Sequence, residues 1–201
     1  PILEALTAPG APFELTRDGG MPRFARTPRH LAALLDRCRA YGERTCFVEG
    51  DTRLTYAEVF QRSDALAGAL GIAPGERVAI VMRNSAAWMI GFLAILRAGG
   101  VAVLVNSRGA PAELRAAVDD CQPALTLADP AYAASLRESG HAGRLLEPAD
   151  FPAEGAPPAS VPAPGLDDPA AILFTSGTTG RVKGAVLSHR NLITGLTLLE
   201  M

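Results

Sequence analysis

The chain has 201 residues with 48% hydrophobic content, enough for one large domain or two small ones and for a buried core. A net charge of −2 and a pI near 6.0 give no general attraction to nucleic acid or anionic membranes, which depends on clustered Lys and Arg. Cys38, Cys46 and Cys121 are too widely spaced for a CxxC pair and odd in number, which argues against a zinc site or a disulfide framework. The first residues, PILEALTAPG, lack a basic stretch followed by an apolar one, so no signal peptide is expected and the expected compartment is the cytoplasm.

Residues 1–53 read as a helical or irregular segment, within which HLAALLDRCRAYG, from His30 to Gly42, has the pattern of an amphipathic helix ending at Gly42. Residues 54–146 read as an α/β subdomain. LTYAEVFQRSDALAGAL carries apolar residues at helical spacing, with Thr55 placed to cap its start. Pro74-Gly75 turns the chain into the β-branched run Arg77 to Met82. Asn84 or Ser85 then caps a helix that stops at Gly99-Gly100, before the strand VAVLV. Between Ala86 and Val105 the only charge is Arg97, but Arg97 and the glycine pair divide that stretch into a buried helix and a buried strand rather than a membrane span. PAELRAAVDD predicts a further helix with Pro111 in its first turn, and Ala124 to Asp129 a further strand. The alternation predicts an α/β fold built on a parallel sheet.

Residues 147–169, EPADFPAEGAPPASVPAPGLDDP, form a Pro-rich connection that excludes a regular helix or a central strand and predicts an extended surface path. Residues 170–201 then give the strand AAILF, a polar loop, the run AVLS, and a helix from near His189 with Ser188 as its cap. The loop carries the main chemical signal. Thr175, Ser176, Thr178 and Thr179 supply hydroxyls, Gly177, Gly180 and Gly184 let backbone N–H groups approach a ligand, and Lys183 adds a mobile cation. The chain has one lysine against eighteen arginines, and that lysine falls here, where a compact point charge suits phosphate. This is not the GxxxxGK[ST] pattern, because strand-like residues rather than a helix follow the lysine. A Ser/Gly/Thr cluster also occurs in plain linkers; the placement of the lysine favours polyphosphate binding.

Other candidates read as structural. His189 sits in a helix's first turn. His30 and His141 have no ligand-type neighbours at metal spacing. Trp88 and Phe92, four apart on an apolar helix, are expected in the core. Arg83 and Arg108 follow strands and could face a site, although solvated strand ends are the commoner case, and Asp119-Asp120 reads as a solvated helix end.

FTSGTTGRVKGAVLSHRNL resembles the phosphate-loop signature of the acyl-adenylate-forming superfamily of AMP-binding enzymes, which contains acyl-CoA synthetases, peptide-synthetase adenylation domains and luciferases. LTYAEV, GERVAIVMRNSAAWMIGFLAILRAGGVAVLVN and PAELRAAVDDCQPALTLAD are similar, in that order, to the opening third of such enzymes. The match is loose before about Thr52. Val182 stands where the family usually has proline, and Ala185 where it usually has valine.

The resemblance, closest to acyl-CoA synthetases (fatty-acid-CoA ligases), implies a large N-terminal domain whose Thr175, Ser176, Gly177, Thr178, Thr179, Gly180 and Lys183 hold ATP phosphates, with Thr175 a neighbour of Mg²⁺. It implies activation of a carboxylic acid, a fatty acid being the expected class, as acyl-adenylate, followed by transfer to coenzyme A. Two alternatives stand beside it: a peptide-synthetase adenylation domain serving a carrier protein, and a short non-catalytic protein binding nucleotide or a partner. The family's adenine, ribose and C-terminal lysine motifs are not found in these residues. Tyr41-Gly42-Glu43-Arg44-Thr45 has the wrong spacing for the adenine motif and reads as a helix end. The chain is therefore expected to be an N-terminal fragment that ends inside a helix, holds no catalytic residue of its own, is inactive alone and self-associates through uncovered apolar surface.

Overall fold

The structure is a computed structural model that describes residues 2–158, 160–175 and 183–201, the side chain of Thr175 excepted. A short helix α1 (Ile2–Thr7) precedes a hairpin of β1 (Leu15–Asp18) and β2 (Met21–Phe24). Helix α2 (Leu31–Leu35) runs into a 3-10 helix, Asp36–Tyr41, and a second hairpin follows, β3 (Thr45–Glu49) with β4 (Thr52–Thr55). Then come α3 (Tyr56–Ala69), β5 (Arg77–Val81), α4 (Ala86–Arg97), β6 (Val101–Leu104), α5 (Pro111–Cys121), β7 (Leu125–Ala128), α6 (Pro130–Glu138) and β8 (Leu145–Leu146). After a 3-10 turn at Pro148–Asp150 the chain reaches β9 (Pro169–Thr175), β10 (Lys183–Ser188) and α7 (His189–Glu200).

Six strands form one sheet in the order β10-β9-β6-β5-β7-β8. Its pairs are parallel except β9 with β10, which is antiparallel at the edge. Alternation along β5 decides which helix goes where. Val78 and Ile80 join Leu66, Leu70, Ala94 and Ile95 of α3 and α4 on one face, while Ala79 and Val81 join Leu114 and Val118 of α5 and Leu136 of α6 on the other. Each large side chain fully buried in this way contributes about 1.5–3 kcal/mol.

The expected caps form. The Thr55 hydroxyl accepts the Glu58 N–H at 3.2 Å and the Glu58 carboxylate accepts the Thr55 N–H at 2.7 Å, a reciprocal box that starts α3. Ser85, rather than Asn84, caps α4 by accepting the Trp88 N–H at 3.1 Å. Gly99, at φ +74°, ends it.

The His30–Gly42 stretch departs from expectation, being α-helical only to Leu35 and 3-10 from Asp36. Side chains three apart eclipse in a 3-10 helix, and this sets Arg39 Nε on the Asp36 carboxylate at 3.0 Å while its Nη2 reaches Asp64 of α3 at 2.8 Å. Arg97 of α4 closes the network on Asp36 at 2.6 Å. The Pro-rich connection is a strap with fixed seats rather than only a solvated path. A Cβ at Gly68 of α3 would collide with the Ala156 carbonyl oxygen, one at Gly99 would lie 2.7 Å from Val161, and Leu166 is buried.

Candidate active site

Neighbouring strands β5 and β6 send their following helices to opposite faces, since α4 packs on the first face and α5 on the second. Loops that part in this way leave a crevice beyond the carboxyl ends of the strands, where open α/β sheets bind ligands. A cleft of about 720 Å³ opens there, lined by Met82, Arg83 and Asn84 after β5, Leu104 at the end of β6 and Val105 to Arg108 after it, Trp88 of α4, Tyr132 of α6, and Leu173 and Phe174 of β9.

Polar groups of the loops are held by local bonds. The Asp129 carboxylate, at the end of β7, accepts the Arg83 N–H at 2.8 Å and so ties the loop after β5 to the start of α6. The Asn106 side chain accepts the Arg108 N–H at 3.1 Å, a short Asx-type turn that shapes the loop after β6. Arg83 and Arg108 thus line the cleft from two sides, instead of ending only at solvated strand ends. Trp88 stacks on Phe92 with centroids 5.5 Å apart and planes 9° apart. Both rings are partly buried against the core as expected, but Trp88 also forms cleft wall.

Strand β9 leads from this cleft to the expected phosphate loop. Thr175 ends β9 and Lys183 begins β10, and the register pairs them directly. Lys183 is exposed. Ser176, Gly177, Thr178, Thr179 and Gly180 lie outside the described residues, as does Val182. Gly184 pairs with Phe174, and a Cβ there would meet Ile172 at 2.8 Å, so the residue after the lysine must be small for β10 to lie flat on β9.

Ser188 caps α7 by accepting the Asn191 N–H at 3.3 Å. The His189 ring behind it is buried, and its Nδ1 accepts the Leu31 N–H at 3.0 Å. His141 has its imidazole pushed below the ordinary value by burial and then by Arg115. Among the described residues no group of three or more His, Cys, Asp or Glu could hold a metal ion, and no helix is long and apolar enough to cross a membrane.

Asp129, Asn106 and Tyr132 were not legible as site residues from sequence. Asp129 reads as the last residue of a strand, and only the Asp-Pro step into α6 signals that a helix starts there and turns Tyr132 toward the cleft.

A sequence model described as AMP-binding enzyme matches residues 34–201. The chain is 38% identical over 161 residues to feruloyl-CoA synthase of an Amycolatopsis species, covering 78% of this chain and 32% of the relative. It is 35% identical over 159 residues to nonribosomal peptide synthetase 7 of Gibberella zeae, covering 75% of this chain and 4% of that protein. In three dimensions it resembles a benzoate CoA ligase from Burkholderia xenovorans LB400, with a TM-score of 0.71 and 26% identity over 81% of this chain and 35% of the ligase. The chain thus spans about a third of the two CoA-linked relatives and far less of the peptide synthetase. With its loop signature, its switch-point cleft and a family match over most of its length, the chain belongs to the AMP-binding enzyme family.

Proposed function

We propose that this chain supplies the ATP-phosphate loop and one wall of the acyl-activation cleft of an ATP-dependent acid–thiol ligase. In that reaction the carboxylate oxygen of a fatty or other organic acid attacks the α-phosphorus of ATP, the bond to the β-phosphate bridging oxygen breaks, and pyrophosphate leaves. The acyl-adenylate then passes its acyl group to the thiol of coenzyme A with loss of AMP. Reactions of this kind are accelerated mainly by positioning and by neutralising charge on the leaving phosphates. Thr175, Ser176, Gly177, Thr178, Thr179, Gly180 and Lys183 are the groups assigned to that work. Mg²⁺ supplies further charge neutralisation when bound. The loop offers neutral hydroxyls rather than carboxylates, which suits a cation brought in by the phosphates and their water, with Thr175 beside it.

The observation that carries this reading is the register of β9 with β10, which sets Thr175 opposite Lys183, with Thr175 following directly on the cleft-lining Leu173 and Phe174 of β9. A second reading, acyl transfer to a carrier protein, is favoured by the similarity to the peptide synthetase.

The test is ATP–pyrophosphate exchange by the intact protein that carries this chain, with a panel of fatty, benzoic, cinnamic and amino acids, followed by acceptor assays with coenzyme A and with a phosphopantetheinylated carrier. Acid-dependent exchange followed by acyl-CoA formation is expected. Exchange with transfer to the carrier alone selects the second reading, and no exchange with any acid contradicts both.

A further inference from the structure

Helix α7 follows β10 without a linker, so the seat of α7 adds to the β9 pairing in holding the strand that begins with Lys183. That seat is small. Leu31 of α2, Leu96 of α4, Leu166, Ala170 and Ile193 make a cluster separate from the two main cores. Around it the His189 N–H donates to the Asp168 carbonyl at 3.1 Å and the Arg190 N–H to the Leu166 carbonyl at 2.7 Å. A further tie is the bond from the Leu31 N–H to His189 Nδ1, at 3.0 Å between residues far apart in sequence.

This bond fixes the tautomer. An Nδ1 that accepts leaves the proton of the neutral ring on Nε2. A second proton would have to enter at Nδ1, where the Leu31 N–H already points, so protonation and this bond exclude each other.

We propose that His189 is a proton-sensitive latch: its neutral ring holds the start of α2 against α7, and protonation opens that seam and removes the support α7 gives the end of β10.

The charges around the ring support the direction. His189 is 2% exposed, and burial pushes its imidazole below the ordinary value, with His30 acting the same way and Asp168 opposing. The His30 ring stands 6.4 Å away at 86° and caps α2 by accepting the Ala33 N–H at 3.3 Å. Arg190, next along α7, is engaged by Asp167 at 2.6 Å, while Asp18 at the end of β1 holds Arg29 at 2.8 Å and lies 4.0 Å from Arg23 of β2. A histidine whose folded value is depressed contributes stability that is complete above the unfolded value near 6.5, and that is lost as pH falls toward the folded value. Acid therefore opens the latch.

The effect on the phosphate loop rests on the proposed function, but the latch itself is tested without nucleotide. Peptide-resolved hydrogen exchange on the full-length protein, corrected for intrinsic rates, compares about pH 7.5 with about pH 5.5. The peptide carrying Leu31 should lose protection about tenfold or more on acidification, while peptides of β5 and β7 hold theirs. His189→Asn keeps an acceptor oxygen near the Nδ1 position and does not titrate, so its Leu31 peptide should change little over the same range. Equal wild-type protection at both pH values, or the same acid loss in H189N, overturns the latch. Should H189N fail to fold, ¹⁵N imidazole spectra of the wild type decide: an unprotonated Nδ1 that gains its proton as the Leu31 amide opens supports the proposal, and an Nδ1 already protonated at neutral pH refutes it. An inactive protein with this acid response would sink the ligase reading and leave the latch standing.

Discussion

Lys183 is the first residue of β10, exposed and opposite Thr175 in the register, and it is the only lysine in a chain that otherwise uses arginine. An ammonium beside a polyphosphate makes charge-assisted contacts of about 1.5–3 kcal/mol, whereas a lysine in a linker contributes almost nothing. Lys183→Met keeps much of the stem and removes the charge. In the full-length protein it should lower the adenylation rate about tenfold or more, from those contact energies at 1.36 kcal/mol per decade. Lys183→Arg should recover only part, because the planar fork does not reproduce a compact ammonium. Pyrophosphate release under saturating ATP measures both, and wild-type turnover in the Met variant would remove Lys183 from the site. On the proposed function, Asp129 is a candidate positioning residue, through the Arg83 N–H its carboxylate accepts at 2.8 Å. Asp129→Ala should raise KM for the acid or thiol more than it lowers kcat, and Asp129→Asn, which keeps an acceptor, should restore most of the loss.

Among the elements, the three central strands that the sequence announced share one property. Strands β5, β6 and β7 are buried on both faces, so each is a short continuous apolar run, and the helices between them carry caps that use ordinary hydroxyl and glycine signals. The hairpins β1–β2 and β3–β4 escaped because their strands are mostly exposed and mixed in polarity, leaving no clean alternation to read. Helix α6 is rich in small residues, with Ala133 and Leu136 its buried positions, too sparse a stripe to stand out. The 3-10 stretch after α2 hid for another reason: a local apolar pattern cannot report that Asp36 and Arg39 will be drawn to Asp64 and Arg97 on other helices. Two glycines test the strap. Gly195 in α7 has nothing within 4 Å of an added Cβ, so Gly195→Ala should stabilise the protein by up to about 1 kcal/mol through helix propensity. Gly68→Ala gains the same propensity but drives its methyl into the Ala156 carbonyl, and crowding of this kind costs about 1–3 kcal/mol. Thermal unfolding of both variants should place Gly68→Ala below the wild type and Gly195→Ala above it. If Gly68→Ala were also more stable, the strap would not be seated on α3.

For the whole molecule, the sheet order and the two packing faces together create a cleft that no single segment encodes. Its walls come from β5, β6, β9, α4 and α6, and it exists because neighbouring strands send their helices opposite ways. The loop's residue pattern is local and can be read from sequence, whereas the cleft could not be, because it is a product of topology. Joining the two is the central proposal: the connection between Thr175 and Lys183 holds ATP phosphates for a reaction in this cleft. Amine-reactive labelling of the full-length protein, read at the peptide carrying Lys183 with and without Mg·ATP, tests it most directly, since this segment has one side-chain amine to modify. The account predicts that Mg·ATP slows modification of Lys183 about tenfold or more, as expected for an ammonium engaged by phosphate. Equal labelling with and without saturating Mg·ATP would contradict it.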